Sequence, residues 1–245
     1  MSRTIGDVPD PTLGDPSYGF ETGGVPGTLS PMPRQSFDAA YYRRFYRDRP
    51  VHDRRRIGHL AQGVLGFAGW WGVPVRSVLD IGAGPGLWRD WFARNRPGVR
   101  YRSTDVSAYA CERYHHELLD IATWTPDRQY DLVVCQGVLQ YLGDRAATRA
   151  VANLAAATRG LLYLEVPTTA DRVDVIDPEL TDLDVHWRSG RWYRTRLSSG
   201  FVDVGAGLHL ARTGGLHLYE LERAPMSRST TSEPVRVRRA RPVSR

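Results

Sequence analysis

Apolar positions in the middle of the chain fall into short continuous runs, separated by stretches of helical spacing. Ser77-Val78-Leu79 leads to Asp80 and then to glycines at positions 82, 84 and 86. A run apolar at consecutive positions predicts a strand covered on both faces, as in a parallel sheet. Residues 87–94 then carry apolar side chains at helical spacing, and Pro97-Gly98 ends that pattern. The alternation continues: residues 99–104 predict a second strand ending at Asp105, 117–122 a third element, 131–135 a fourth strand and 160–167 a fifth. A helix of good formers runs from about Asp144, a residue suited to an N-cap, to Arg159, with Gly160 in the position of a C′ glycine. A further helix over 189–199 is closed by Gly200. Two late strands follow, 201–210 and 215–221, joined by turn residues 212–215. Ahead of the first strand, residues 36–46 predict a helix with a dense aromatic face, and a second helix spans about 52–71, stopped by Gly72-Val73-Pro74. Strands alternating with helices predict an α/β fold with a mostly parallel sheet.

The glycine turn after Asp80 is the most informative chemistry. Without Cβ atoms, the backbone N–H groups of such a turn can approach a ligand closely, and strand, glycine turn and helix together make the first unit of a nucleotide-binding fold. Dinucleotide sites use G-x-G-x-x-G, whereas here the third glycine, Gly86, comes one residue early. Asp80 stands directly before the turn. A pyrophosphate would be repelled by that carboxylate, and a cationic ligand would be attracted. S-adenosylmethionine carries a sulfonium and an ammonium and no phosphate.

The segment Val78-Leu79-Asp80-Ile81-Gly82-Ala83-Gly84-Pro85-Gly86 resembles motif I of the class I S-adenosylmethionine-dependent methyltransferases, and three further segments extend the resemblance over about residues 75–222. It implies a Rossmann-like, seven-stranded sheet flanked by helices, with an antiparallel last strand. It also implies a cofactor site made of Asp80, Gly82, Ala83, Gly84 and Gly86 on the first turn. Asp105, 19 residues past Gly86, matches the acid that accepts from the ribose hydroxyls, and Val106 would pack on the adenine. The alternative role for Asp105 is to cap the following helix, for which Ser107 is also available. Asp120 matches the acid near the adenine amine, with Ile121 as a backbone contact. Tyr130-Asp131-Leu132-Val133-Val134-Cys135-Gln136-Gly137 resembles the family's fourth strand, and it brings Gln136 and Gly137 to the carboxyl end of the sheet, where open α/β sheets hold ligands.

Methyl transfer from a sulfonium needs an aligned nucleophile, exclusion of water and, for a protonated acceptor, a base. Tyr141 lies near where the methyl group should point. Among the seven histidines, His186 is singled out as the catalytic candidate, because it follows the fifth strand, where the family builds substrate pockets; a surface histidine beside acids is the plainer reading. His52 and His59 are assigned to an N-terminal helix, and His116 to a helix end. Glu165 ends the fifth strand, either lining the acceptor pocket or standing as a rim charge. Tyr41, Tyr42 and Tyr46 either reach the methionine end of the cofactor or simply cover the core. Trp70 and Trp71 read as packing. The acidic run Asp177, Glu179, Asp182, Asp184 has no glycine-containing calcium-loop pattern, and no metal is expected.

Composition sharpens this picture at the ends. Residues 1–35 hold six Gly and six Pro and are expected to be disordered. Residues 224–245 carry six Arg against one Glu, which accounts for +5 of the formal net charge of +6. The expected organisation is a methyltransferase domain over 36–223, with a helical cap at 36–74, a Rossmann-like core at 75–223 and a disordered basic tail. A nearly neutral folded part argues against a nucleic-acid substrate. All 33 basic residues are Arg, which excludes lysine chemistry. Cys111 and Cys135 lack a C-x-x-C partner, so neither zinc nor a disulfide framework is expected. With no apolar run of membrane-spanning length and no signal peptide, the chain is expected to be cytoplasmic. The function expected is transfer of a methyl group to oxygen, nitrogen or carbon of a small molecule, with S-adenosylmethionine as cofactor. The alternatives are a protein or RNA methyltransferase, a non-catalytic relative of the fold, and a nucleic-acid binder acting through its tail.

Overall fold

The computed structural model describes residues 37–48, 50–216 and 218–224. The segments expected to be disordered, 1–35 and 224–245, lie outside these residues except for Ala224.

Seven strands form one sheet: β1 (Ser77–Ile81), β2 (Arg100–Asp105), β3 (Glu117–Leu118), β4 (Tyr130–Gln136), β5 (Thr158–Glu165), β6 (Phe201–Gly205) and β7 (Leu208–Ala211). Their spatial order is β3-β2-β1-β4-β5-β7-β6. The first five are parallel to one another, and β7 runs antiparallel to β5 and β6. The helices are α1 (Ala39–Tyr42), α2 (Arg54–Trp70), α3 (Leu87–Asn95), α4 (Ala108–Tyr114), α5 (Asp144–Ala157), α6 (Thr169–Asp174) and α7 (Gly190–Leu197). A π-helical stretch, Arg43–Asp48, continues α1.

The continuous apolar runs have a direct cause. Successive side chains of a strand point to opposite faces, and both faces here are covered. Val78, Leu132, Val134 and Leu161 join the core under α2 and α3. Leu79, Val133, Cys135 and Leu162 join the core under α5 and α7. From the helix side, α2 buries Ile57, Ala61, Val64 and Ala68, and α5 buries Ala147, Ala150, Val151 and Leu154.

Several boundaries differ from the sequence reading. Helix α2 starts after Asp53, whose carboxylate accepts from the Arg56 N–H at 2.7 Å, so His52 lies in the preceding loop. Helix α1 is capped by Asp38, which accepts from the N–H groups of Ala40 and Tyr41; Ser36 is outside the described residues. Gly143 is the N-cap of α5, and Asp144 inside it is free to meet Arg188. Gly160 does not end that helix. It lies within β5, where a Cβ would come within 2.5 Å of the Asp131 carbonyl oxygen.

The largest departure concerns the sheet edge. The expected strand over 201–210 is two strands joined by Ala206-Gly207, both at positive φ, +51° and +75°. That is a type I′ hairpin turn. The expected strand over 215–221 is absent among the described residues, and Glu220–Glu222 is instead a 3₁₀ turn. Glu222 accepts from the indole N–H groups of Trp70 and Trp71, at 2.8 and 3.2 Å, which fastens this segment to the end of α2. Seven strands are therefore present among the described residues, with the seventh made by a hairpin that the glycine-rich Gly205-Ala206-Gly207 signals.

Candidate active site

The site is built at the carboxyl ends of β1, β2, β4 and β5. After β1 the chain turns through Gly82, Gly84 and Gly86, at φ +68°, +55° and +75°. These left-handed values favour glycine, and at Gly82 a Cβ would also run into Val138 Cγ2. The turn is tied to β2 by the Ala83 N–H donating to the Thr104 carbonyl at 2.9 Å. Asp105 holds it from the other side: Oδ2 accepts from the Gly84 N–H at 2.9 Å, and Oδ1 from the Ser107 N–H at 2.9 Å. Ser107 is the cap of α4, accepting from the Ala110 N–H, so Asp105 is left for the turn. His116 completes the clamp, with Nε2 2.9 Å from the Gly84 carbonyl and Nδ1 2.9 Å from Ser103 Oγ. Burial first lowers its pKa, so the ring is a neutral brace. This role was invisible in the sequence, because it depends on α4 returning its end to β2.

Asp80 is 2 % exposed and accepts from the Tyr101 hydroxyl at 2.8 Å. Burial, with the charge of Asp105 adding to it, pushes its carboxyl up to about 7, against the Tyr101 hydrogen bond. A cation beside it would favour the ionised form. Asp80, Gly82, Ala83, Gly84, Gln136 and Gly137 border one narrow hollow of about 70 Å³. Gln136 uses its side chain inside the protein, accepting from Trp88 Nε1 at 2.8 Å and donating to Glu165 Oε2 at 3.1 Å. Gly86 carries the turn into α3. Val106 is half-buried just past Asp105. Asp120 caps its own turn, accepting from the Ala122 N–H at 2.8 Å, and the Ile121 carbonyl accepts from Asn153 at 2.7 Å.

The aromatic cap lies on this turn. Tyr46 stands 3.7 Å from where a Gly84 Cβ would be, and it stacks on Tyr42 with ring centroids 5.4 Å apart. The Tyr42 hydroxyl is 3.5 Å from Asp105 Oδ2.

A wider hollow of about 610 Å³ adjoins it, lined among others by Tyr41, His52, Gln140, Tyr141, Glu165 and Asp182. His52 and Glu165 border both hollows. His52 Nε2 is 2.8 Å from Glu165 Oε1, and Glu165 Oε2 accepts from Tyr163 at 2.8 Å and from Gln136. Burial raises the Glu165 pKa, but His52 and the two other donors outweigh it, and the carboxyl sits below its ordinary range. Tyr141 shares a 2.8 Å hydrogen bond with Tyr41 and donates to Asp182 Oδ2 at 3.1 Å. Burial raises its phenol well above the ordinary value, so it stays protonated. Gln140 is 7 % exposed, and its Oε1 has no hydrogen-bond partner among the described residues.

His186 is not brought to either hollow. It is exposed, and its N–H donates to the Gln140 carbonyl at 2.8 Å. Its segment docks the 3₁₀ turn Leu139–Tyr141 through the buried Arg188, which donates to the Leu139 and Leu142 carbonyls, the Tyr193 hydroxyl and Asp144 Oδ1. No group of three or more His, Cys, Asp or Glu side chains among the described residues is arranged to hold a metal ion. No helix there is long and apolar enough to cross a membrane.

Residues 51–204 match the family model described as a methyltransferase domain. Among curated proteins, a trans-aconitate 2-methyltransferase of Methylobacterium radiotolerans is 32% identical over 99 residues, covering 38% of each chain. One of Paracidovorax citrulli is 30% identical over 142 residues, covering 54% of this chain and 50% of that protein. The chain thus spans half or less of the length of these curated relatives. A crystal structure of an S-adenosylmethionine-dependent methyltransferase from Clostridium acetobutylicum superposes with a TM-score of 0.53 at 11% identity, over 72% of this chain and 98% of that one. At that identity the likeness concerns the fold.

Proposed function

From a chain that belongs to the class I methyltransferase-domain family, we propose an enzyme that moves the methyl group of S-adenosylmethionine to a small-molecule acceptor. The observation that carries this reading is the turn at Gly82–Gly86 with Asp80 on one side and Asp105 on the other.

The residues fit such a cofactor. Asp80 offers a negative charge to the sulfonium and ammonium, and Asp105 offers oxygens to ribose hydroxyls. Asp120 and Ile121, beyond β3, serve the adenine, with Val106 on its face; Gln136 and Gly137 border the methionine end. The present 70 Å³ beside the turn is less than a small-molecule site occupies. Tyr42 and Tyr46 therefore swing outward as the ligand enters, and a ribose hydroxyl replaces the long Tyr42 contact to Asp105. When bound, the cofactor supplies a methyl group already activated for displacement, so the protein's work is alignment and proton removal.

The wider hollow suits a small acceptor. Gln140 Oε1 awaits a donor, and the Tyr141 hydroxyl, kept neutral and held between Asp182 and Tyr41, forms the wall beside it. With Nε2 protonated and directed at Glu165, His52 presents Nδ1 as the base, at the border between the two hollows. His52 thereby takes the role first considered for His186, and Tyr141 acts by positioning. The acceptor atom is then one that arrives with a proton to lose, a hydroxyl or an amine.

Calorimetric titration with S-adenosylmethionine, S-adenosylhomocysteine and NAD tests the reading. Micromolar binding of both adenosyl ligands and none of NAD is expected, with affinity reduced at least about tenfold in Asp105→Ala. Binding of NAD in their place would overturn it.

A further inference from the structure

A second large hollow lies at the opposite edge of the sheet. It has a volume of about 450 Å³ and sits between α7 and the β6–β7 hairpin. His209 is paired with Leu162 in the middle of β5, and Phe201 with Ala211 beyond it. The hollow is thus level with the middle and amino end of β5, while Glu165 and the methyl-transfer site lie at the carboxyl end.

Its chemistry is one-sided. Arg191, Arg194, Arg212 and Arg223 line it, and Asp203 is the one carboxylate among the described lining residues. Arg191 and Arg194 are three apart on α7 and so share a face; neither makes an ion pair among the described residues. Arg212 uses Nε on the Ser198 carbonyl at 2.8 Å, and Arg223 reaches the Leu218 carbonyl at 3.2 Å, which leaves each guanidinium further donors.

The floor carries the second observation. Leu197 and Phe201 are buried there, and with them His209, 7 % exposed. His209 Nδ1 has no hydrogen-bond partner among the described residues. Burial lowers the pKa of this imidazole, against the nearby Asp203, so the ring is neutral, and either tautomer leaves a polar atom that needs a partner. A buried polar group without one calls for an explanation.

We propose that this hollow is a second ligand site, which takes a small molecule bearing an oxyanion, phosphate or carboxylate, on an apolar body. Guanidinium groups pair with both oxyanions through parallel N–H donors, Phe201 and Leu197 receive the apolar part, and His209 Nδ1 gains its missing partner.

The test uses the full chain, titrated calorimetrically at constant ionic strength with phenyl phosphate and, separately, with benzoate, and with chloride as the control. One saturable event is expected, with the His209 ring resonances moving in NMR spectra. In Arg191→Gln/Arg194→Gln, two changes at exposed positions, the affinity falls at least about tenfold, while binding of S-adenosylmethionine is unchanged. Tighter binding of phenyl phosphate identifies the group as a phosphate, and tighter binding of benzoate as a carboxylate. No saturable binding of either, equal affinity in the double variant, or His209 resonances that do not move would overturn the proposal. Because the cofactor titration is separate, these outcomes stand apart from the methyl-transfer reading.

Discussion

At the scale of single residues, what matters is how each polar group at the carboxyl end of the sheet is held. His52 is set by Glu165, and Glu165 by Tyr163 and Gln136. A base oriented this way is expected to contribute about 100-fold or more. His52→Gln keeps the size and the hydrogen bond but not the base, so kcat should fall by that factor while the Kd for S-adenosylmethionine stays within about twofold; kcat equal to wild type across the pH range would remove His52 from this role. Asp80 makes a separate prediction. Its folded pKa of about 7 stands above the unfolded value of 3.8. Between these pH values the ligand-free folded chain holds a proton that the unfolded chain has lost, so this group's contribution to stability declines as pH rises across the window. A cationic ligand favours the ionised carboxylate, so binding of S-adenosylmethionine should tighten from pH 6 to 8 and release protons at the lower end. Calorimetry in buffers of different ionisation enthalpy measures both, and Asp80→Asn should flatten both.

At the scale of elements, two connections decide how the site and the sheet edge are made. Arg188 joins the loop before α7 to the 3₁₀ turn that carries Gln140 and Tyr141. Arg188→Met would leave the Leu139 and Leu142 carbonyls and the Tyr193 hydroxyl without their donor inside the protein. A loss of about 3 kcal/mol follows from uncovering such buried groups, read as a lower denaturant midpoint at unchanged m-value, with cofactor affinity preserved. The β6–β7 hairpin carries a local cost, because Ala206 takes φ +51°. Asn tolerates that region better than Ala, so Ala206→Asn should stabilise by up to about 1 kcal/mol and raise Tm by roughly 2–4 °C. No rise in a thermal melt would show that the turn is not strained by its alanine.

At the scale of the whole molecule, the two ends of the sheet carry opposite chemistry. The carboxyl end gathers carboxylates, Asp80, Asp105 and Glu165, around a hollow suited to a cationic cofactor. The far edge gathers arginines around a half-apolar hollow. The formal charge of +6 conceals this separation, since a sum over the chain carries no information about which side chains the fold brings to one place. Binding at the carboxyl end should also stabilise the fold by mass action, about 2.7 kcal/mol at a ligand concentration 100 times Kd.

The parallel core was legible in the chain because its causes are local. Strands covered on both faces must be apolar at consecutive positions, and the turn after β1 must be glycine-rich because its backbone enters the left-handed region. Ser107 and Ser189 likewise announced their helix starts by their type. The sequence by itself therefore determined the order of the elements from β1 to β5, the sheet class and the left-handed glycine turn after β1. The tertiary structure decided the rest, since it depends on groups far apart in the chain. Glu165 meets His52 across 113 residues, His116 braces a glycine 32 residues away, and Glu222 reaches Trp70 in place of forming a strand. His186 was singled out for its place after the fifth strand, but it takes the plainer reading, a surface histidine beside acids, and Arg188 two positions later takes the buried place.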